Sequence, residues 1–292
     1  MSINKLNFIF WGTPEVASET LEILKENGYL PSLIVTSPDA KSGRGLEMHA
    51  SPVAIFAEKN NILCLKPEKL DVIFANQLSA ISYQLSIVVA YGKIIGEEIL
   101  NTPKLGSINI HYSLLPKYRG ASPVESAILN GDTETGVTIQ KMKYELDSGD
   151  IIAQEKMKIF PDETAPGLRT RLIKMGGELL VKTLTPTLLP LTKGEVLETK
   201  EAFKSIPQDK SKATYCKKIK KEDGIVDLGA ELPNVLYNKF RAYATWPRTF
   251  FFKNGKRMII TKAKLENNEF KILKVIPEGK REIDYKSENN IF

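Results

Sequence analysis

Short apolar runs alternate with segments of helical periodicity through the first half of the chain. Residues 6–10 form an apolar run that stops at Gly12, and residues 14–27 carry apolar side chains at Val16, Leu21, Ile23 and Leu24 before Gly28. Consecutive apolar residues suit a buried strand, and spacings of three or four suit one face of a helix, so this stretch predicts strand, turn and helix. Thr13-Pro14 supplies an N-cap and a first helical position, and Gly28 supplies the residue just past the helix end. Ser51-Pro52 and Ser122-Pro123 repeat the start signal before further helical stretches. Buried strands are predicted at residues 33–35, 85–90 and 107–111. Strands alternating with helices predict a doubly wound, mostly parallel sheet of Rossmann-like α/β type, with its ligand crevice beyond the carboxyl ends of the strands.

The pattern changes after residue 136. Residues 136–140 and 150–153 read as strands joined by a polar turn around Asp147-Ser148-Gly149, an antiparallel extension of the sheet. A helix is predicted over 166–184, followed by a stretch containing Pro186, Pro190 and Gly194. The predicted division is therefore a catalytic domain over 1–186, a linker over 187–207 and a second domain over 208–292. In the last part, a helix near 231–243 precedes short strands such as 257–260 and 270–273, which predicts a small OB-like β-barrel.

Composition sharpens this division through charge. Up to residue 207 there are 22 Lys and Arg against 24 Asp and Glu, a net −2, whereas residues 208–292 hold 19 against 11, a net +8. A basic second domain points to a polyanionic partner, because phosphate neutralisation releases counterions; a solvated Lys-rich surface has the same composition. No run of eighteen apolar residues and no basic-then-apolar leader is visible, so a cytoplasmic protein without a membrane span is expected. Cys64 and Cys216 stand far apart outside any CxxC pair, which disfavours a disulfide framework or a zinc ribbon and fits buried thiols.

The chain has two histidines, His49 and His111. His49 has no evident role. His111 ends a predicted strand in the register Asn109-Ile110-His111, and alternate side chains of a strand share a face. An amide and an imidazole then point the same way at a strand's carboxyl end, an arrangement that also fits a polar strand end facing solvent. Other uses of such a sheet are disfavoured. The turn Trp11-Gly12-Thr13-Pro14 has one glycine where a dinucleotide fingerprint needs three, and Pro14 removes a backbone donor. Gly43-Arg44-Gly45 lacks the Lys of a phosphate loop, no H-E-x-x-H offers zinc ligands, and no G-x-S-x-G offers a serine nucleophile.

Several segments together make the chain recognisable: FWGTPEVA at the start, SPDAKSGRG followed by SPV, VVAYGKII, GSINIHYSLLPKYRGASPV, ELDSGDII, and a weaker match at TYCKKIKKEDGIVD and FRAYATWP. In order and spacing they resemble the methionyl-tRNA formyltransferase family over nearly the whole chain. The resemblance implies formyl transfer from 10-formyltetrahydrofolate to the amino group of initiator methionyl-tRNA, as a monomer and without a metal. It places the catalytic trio on Asn109, His111 and Asp147. It places the folate against Val89, Ala90, Tyr91 and Gly92 on one strand end and Ser113, Leu114, Leu115 and Pro116 on the next loop. For the tRNA it implies Lys41 and Arg44 in the SPDAKSGRG loop, and Lys217, Lys218, Lys220 and Lys221 at the opening of the basic domain.

The implied chemistry is attack of a neutral amine on the formyl carbon, a tetrahedral intermediate, and loss of tetrahydrofolate. Free α-amino groups titrate near a pKa of about 8, so no strong base is required. Asn109 and protonated His111 are expected to stabilise the oxyanion, donors worth roughly 3 kcal/mol each, while Asp147 holds the imidazole. Tyr112 stands where the family more often has a small residue, which bears on the backbone path around the pocket. The same trio also serves amino-sugar nucleotide N-formyltransferases, and a catalytically silent RNA-binding homologue is a second alternative; the basic domain and the SPDAKSGRG loop favour tRNA over the sugar, and the intact trio favours catalysis.

Overall fold

The computed structural model describes residues 6–42, 47–188 and 203–285. Its strands, in chain order, are β1 (Phe8–Gly12), β2 (Leu33–Val35), β3 (Ala40–Ser42), β4 (Glu47–His49) and β5 (Leu63–Leu65). They continue with β6 (Leu85–Val89), β7 (Ser107–His111), β8 (Arg119–Gly120), β9 (Glu134–Lys141) and β10 (Ile151–Lys158). The last five are β11 (Tyr215–Cys216), β12 (Phe250–Lys253), β13 (Lys256–Glu266), β14 (Glu269–Pro277) and β15 (Ile283–Asp284). The helices are α1 (Glu15–Glu26), α2 (Pro52–Lys59), α3 (Val72–Ser79), α4 (Glu97–Asn101), α5 (Pro123–Leu129), α6 (Ala165–Leu188) and α7 (Pro233–Ala242).

Seven strands form one sheet in the order β10-β9-β7-β6-β1-β2-β5. From β5 to β7 the pairings are parallel, and β9 then pairs antiparallel with β7. This is the doubly wound sheet with an antiparallel extension that the hydrophobic pattern predicts. All five residues of β1 and of β6 are buried, as expected of parallel strands covered on both faces. On one face Ile9, Trp11, Leu33, Val35 and Val88 pack with Phe74 and Leu78 of α3 and Ile99 and Leu100 of α4. Trp11 meets Phe74 and Tyr91 edge-on, with ring centroids 6.1 and 5.3 Å away. On the other face of β7, Gly176 of α6 comes so close that a Cβ there would touch Ile110, Tyr112 and Val137.

The start signals fare unevenly. Ser51 caps α2 through its hydroxyl, which accepts from the Ala54 amide at 3.0 Å. Ser122 precedes α5 without a side-chain cap bond. Thr13 is not a cap: Pro14 takes that position, and the Thr13 hydroxyl instead donates to the Tyr91 carbonyl at 3.2 Å, tying the end of β1 to the loop after β6. Gly28 does follow α1 with φ +84°, the left-handed conformation that a helix end favours.

The chain divides into two compact units: Met1–Arg119 with Gly136–Lys156 and Leu172–Ala213, and Gly120–Thr135 with Met157–Arg171 and Thr214–Phe292. The first contains most of the seven-stranded sheet. In the second, β12, β13, β14 and β15 form a four-stranded antiparallel sheet, and Leu236 and Phe240 of α7 pack on it with Phe251, Ile260 and Val275. A fifth strand closing this sheet into a barrel is not among the described residues. Most of the expected linker, residues 189–202, and Arg44 lie outside the described residues.

Candidate active site

The site is built on the polar face of β7. Asn109 and His111 share that face by strand alternation, while Ile110 and Tyr112 face the α6 side. Tyr112 therefore points away from the polar face. Burial of its phenol pushes its pKa up. In the antiparallel pairing with β9, Gln140 lies opposite Asn109 and Thr138 opposite His111, so four polar side chains meet on one patch.

Asp147 joins them from the turn between β9 and β10. Its backbone takes φ +48°, a left-handed conformation that costs a non-glycine residue about 1–2 kcal/mol. Two neighbours hold it there. The Gln140 side-chain amide donates to Asp147 Oδ1 at 3.0 Å and to Asn109 Oδ1 at 3.3 Å. The Gln208 side-chain amide donates to the main-chain carbonyls of Asp147 and Gly149 at 2.9 and 2.7 Å. Asp147 Oδ2 then sits 3.6 Å from His111 Nδ1, with side chains only 15% and 7% exposed.

The other imidazole nitrogen, Nε2, lies 2.8 Å from the Tyr118 carbonyl. A carbonyl only accepts, so Nε2 carries a hydrogen and donates it. Asn109 Nδ2 donates one hydrogen to the Val88 carbonyl at 3.0 Å, which leaves its second available. Because Gln140 donates to Asn109 Oδ1, the amide's orientation is decided: nitrogen, not oxygen, is the end with a hydrogen to offer.

Arg119 is fully buried at 1% exposure. Its Nε and Nη2 donate to Gln208 Oε1 at 3.1 and 2.8 Å, and Nη1 lies 3.8 Å from Glu145. Gln140, Arg119 and Gln208 are the site residues that sequence reasoning missed. Gln140 was within reach, since it alternates with Thr138 on a strand expected as an antiparallel extension of the sheet. Gln208 was not, because it is 61 residues from Asp147 and 89 from Arg119.

The expected folate-lining residues divide by burial. Val89, Tyr91, Ser113 and Leu115 are buried, whereas Ala90 and Gly92 are exposed and Leu114 and Pro116 half-buried. Ala90 and Gly92 have φ of +47° and +83°, so the strand ends in a turn that presents main chain. Burial raises the Tyr91 phenol to about 12. The 113–115 loop is pinned by Thr138, whose hydroxyl donates to the Ser113 carbonyl at 2.7 Å and accepts from the Leu115 amide at 3.1 Å. A cavity of about 470 Å3 opens nearby in sequence, lined by Leu70, Asp71, Val72, Glu97, Ile99 and Tyr144 among others. It includes none of the trio, and its carboxylates would repel an anionic glutamyl tail.

Of the expected tRNA contacts, Lys41 is exposed on the ribbon formed by β3 and β4, opposite Met48. Lys217, Lys218, Lys220 and Lys221 are all exposed in the second unit. Among the described residues no group of three His, Cys, Asp or Glu side chains is placed to hold a metal ion, and no helix is long and apolar enough to cross a membrane.

A family model described as formyl transferase matches residues 4–184, and one described as formyl transferase, C-terminal domain, matches residues 218–288. The fold agrees: an N-formyltransferase from Helicobacter canadensis, solved with folinic acid and dTDP-3-aminofucose, superposes with a TM-score of 0.62 over 90% of this chain and 88% of that one, at 20% identity. Fold and family models together define a formyltransferase. Sequence identity resolves the class further. The methionyl-tRNA formyltransferase of Thermotoga maritima is 43% identical over 243 residues, 83% of this chain and 74% of the relative. That of Syntrophus aciditrophicus is 39% identical over 257 residues, 88% and 78% of the two chains. The chain belongs to the methionyl-tRNA formyltransferase family.

Proposed function

We propose that this chain transfers the formyl group of 10-formyltetrahydrofolate to the amino group of initiator methionyl-tRNA, with Asn109, His111 and Asp147 carrying the chemistry. Cytoplasmic location and action as a monomer go with this reading. The observation that carries it is the convergence of an amide, an imidazole and a carboxylate at the carboxyl end of β7, in a chain about 40% identical to named methionyl-tRNA formyltransferases.

The geometry favours one division of labour. Asn109 Nδ2 has a hydrogen to offer at the strand end, so the developing oxyanion is assigned to it. His111 Nε2 is engaged by the Tyr118 carbonyl, so proton exchange falls to Nδ1, which faces Asp147. Their 3.6 Å separation is longer than a hydrogen bond, and such contacts commonly shorten when substrate binds. The amine loses its proton after attack, when nitrogen becomes acidic, and Asp147 is the less buried acceptor for it. The oxyanion then re-forms the carbonyl, the bond from the formyl carbon to the folate nitrogen breaks, and that nitrogen takes the proton passed from Asp147 through His111 Nδ1. Ala90, Gly92, Leu114 and Pro116 are the accessible part of the pterin wall, offering main-chain donors and acceptors to a flat heteroaromatic. The tRNA is held by Lys41, Arg44 and the four lysines of the second unit, which engage phosphates rather than bases.

The test is transfer of labelled formyl from 10-formyltetrahydrofolate to methionyl-tRNA, with a nucleotide-linked amino sugar as the competing acceptor. Asn109→Ala, His111→Ala and Asp147→Ala should each lower kcat by about a hundredfold or more while the donor KM changes little. Wild-type turnover in the His111 variant removes the assignment, and label on the sugar alone removes the acceptor.

A further inference from the structure

We propose that Gln208 is a positioning residue for formyl transfer: it acts through the main chain of Asp147 and not on substrate. The proposal rests on the catalytic role assigned to Asp147 above.

The geometry requires an amide at this position. One end of the side chain must donate, because it faces the Asp147 and Gly149 carbonyls at 2.9 and 2.7 Å. The other end must accept, because it faces the Nε and Nη2 donors of Arg119 at 3.1 and 2.8 Å. Only a carboxamide does both in that volume, and a flipped amide would set oxygen against two carbonyls and nitrogen against a cation. Gln208 itself is 9% exposed and Arg119 1%, so neither group is offered to solvent as an alternative partner.

What the clamp holds is the left-handed turn that delivers the carboxylate. Asp147 keeps φ +48° while Gln208 grips the carbonyls on either side of Ser148. Gln140 bonds Asp147 Oδ1, and Gln208 Nε2 lies 3.4 Å from Gln140 Oε1, so the two amides that hold Asp147 also brace each other. Gln208 arrives on a segment fastened to the sheet edge by a mutual pair of 2.8 Å main-chain bonds between Ile206 and Ile151. The segment from Ile206 to Gln208 thus ties the turn to the sheet edge.

Two variants separate the features of the clamp. Gln208→Met keeps the length and removes both sets of bonds, whereas Gln208→Glu keeps the arginine contact and turns the carbonyl contact repulsive. Both should lower kcat for methionyl-tRNA at least tenfold, with the donor KM within threefold of wild type. In an Asp147→Asn background the same substitutions should cost less than threefold further, because a residue acting only through that carboxylate has nothing left to position. If Gln208→Met does not accumulate as folded protein, Gln208→Glu carries the measurement. Wild-type kcat in the folded variants overturns the proposal, and so does an equal loss with and without the Asp147 carboxylate, which marks general damage. Wild-type turnover of Asp147→Asn alone overturns the parent reading instead, so the two failures are distinguishable.

Discussion

At the scale of single residues, the turn between β9 and β10 is the most constrained part of the site. Gly149 lies against the Lys141 main chain, and a Cβ there would overlap the Lys141 carbonyl. Backbone cannot yield as a flexible side chain can, so Gly149→Ala should destabilise the protein by about 2 kcal/mol or more and lower formyl transfer with it. A denaturant midpoint equal to wild type would contradict this close approach. Asn109 and His111 were legible from strand alternation at residue scale, and Asp147 from resemblance alone. The partners that orient them were not, because Gln208 and Arg119 meet only when segments distant in sequence fold together.

At the scale of elements, α7 is tied to a neighbouring segment of the second unit by a partly buried polar contact. Tyr237 of α7 donates its hydroxyl to Asp162 Oδ1 at 2.9 Å. Burial first, and then the hydrogen bond to Asp162, raises its phenol from 10.0 to about 12. The folded state thus keeps a proton that the unfolded chain releases near pH 10. Stability from this group is complete below pH 10 and declines as pH rises from there to about 12. Unfolding free energies measured across that interval should fall with pH, and more steeply for wild type than for Tyr237→Phe. Equal slopes for the two proteins would dissociate the helix contact from the titration. Periodicity located α7 and six of the seven strands of the large sheet, since burial on one or both faces leaves a repeat in the sequence; β5, exposed to half-buried, left none. It misplaced the cap of α1, because Thr13 is drawn instead to the Tyr91 carbonyl, a tertiary contact with no local signature.

At the scale of the whole molecule, charge is distributed as the proposed acceptor requires. The net +8 of residues 208–292 includes four exposed lysines within five positions, from Lys217 to Lys221. Replacing Lys217, Lys218, Lys220 and Lys221 together by alanine should weaken tRNA binding while leaving the donor KM unchanged. The dependence of log affinity on log salt should flatten by about 0.7–0.9 for each phosphate that is no longer neutralised. An unaltered salt slope would identify these lysines as solvated surface. This asymmetry was readable from composition, but the route of the chain was not. Residues 120–135 and 157–171 group with the second unit, and residues 172–213 with the first.

The hydrogen bonds of Gln208 bear on how relatives can be recombined. A chimera joined where the basic region begins, at residue 208, would part the Asp147 turn from Gln208, whose side chain grips it. A junction after Ala213, where the last segment of the first unit ends, transfers the cationic sheet and helix while Gln208 stays with the Asp147 turn it braces.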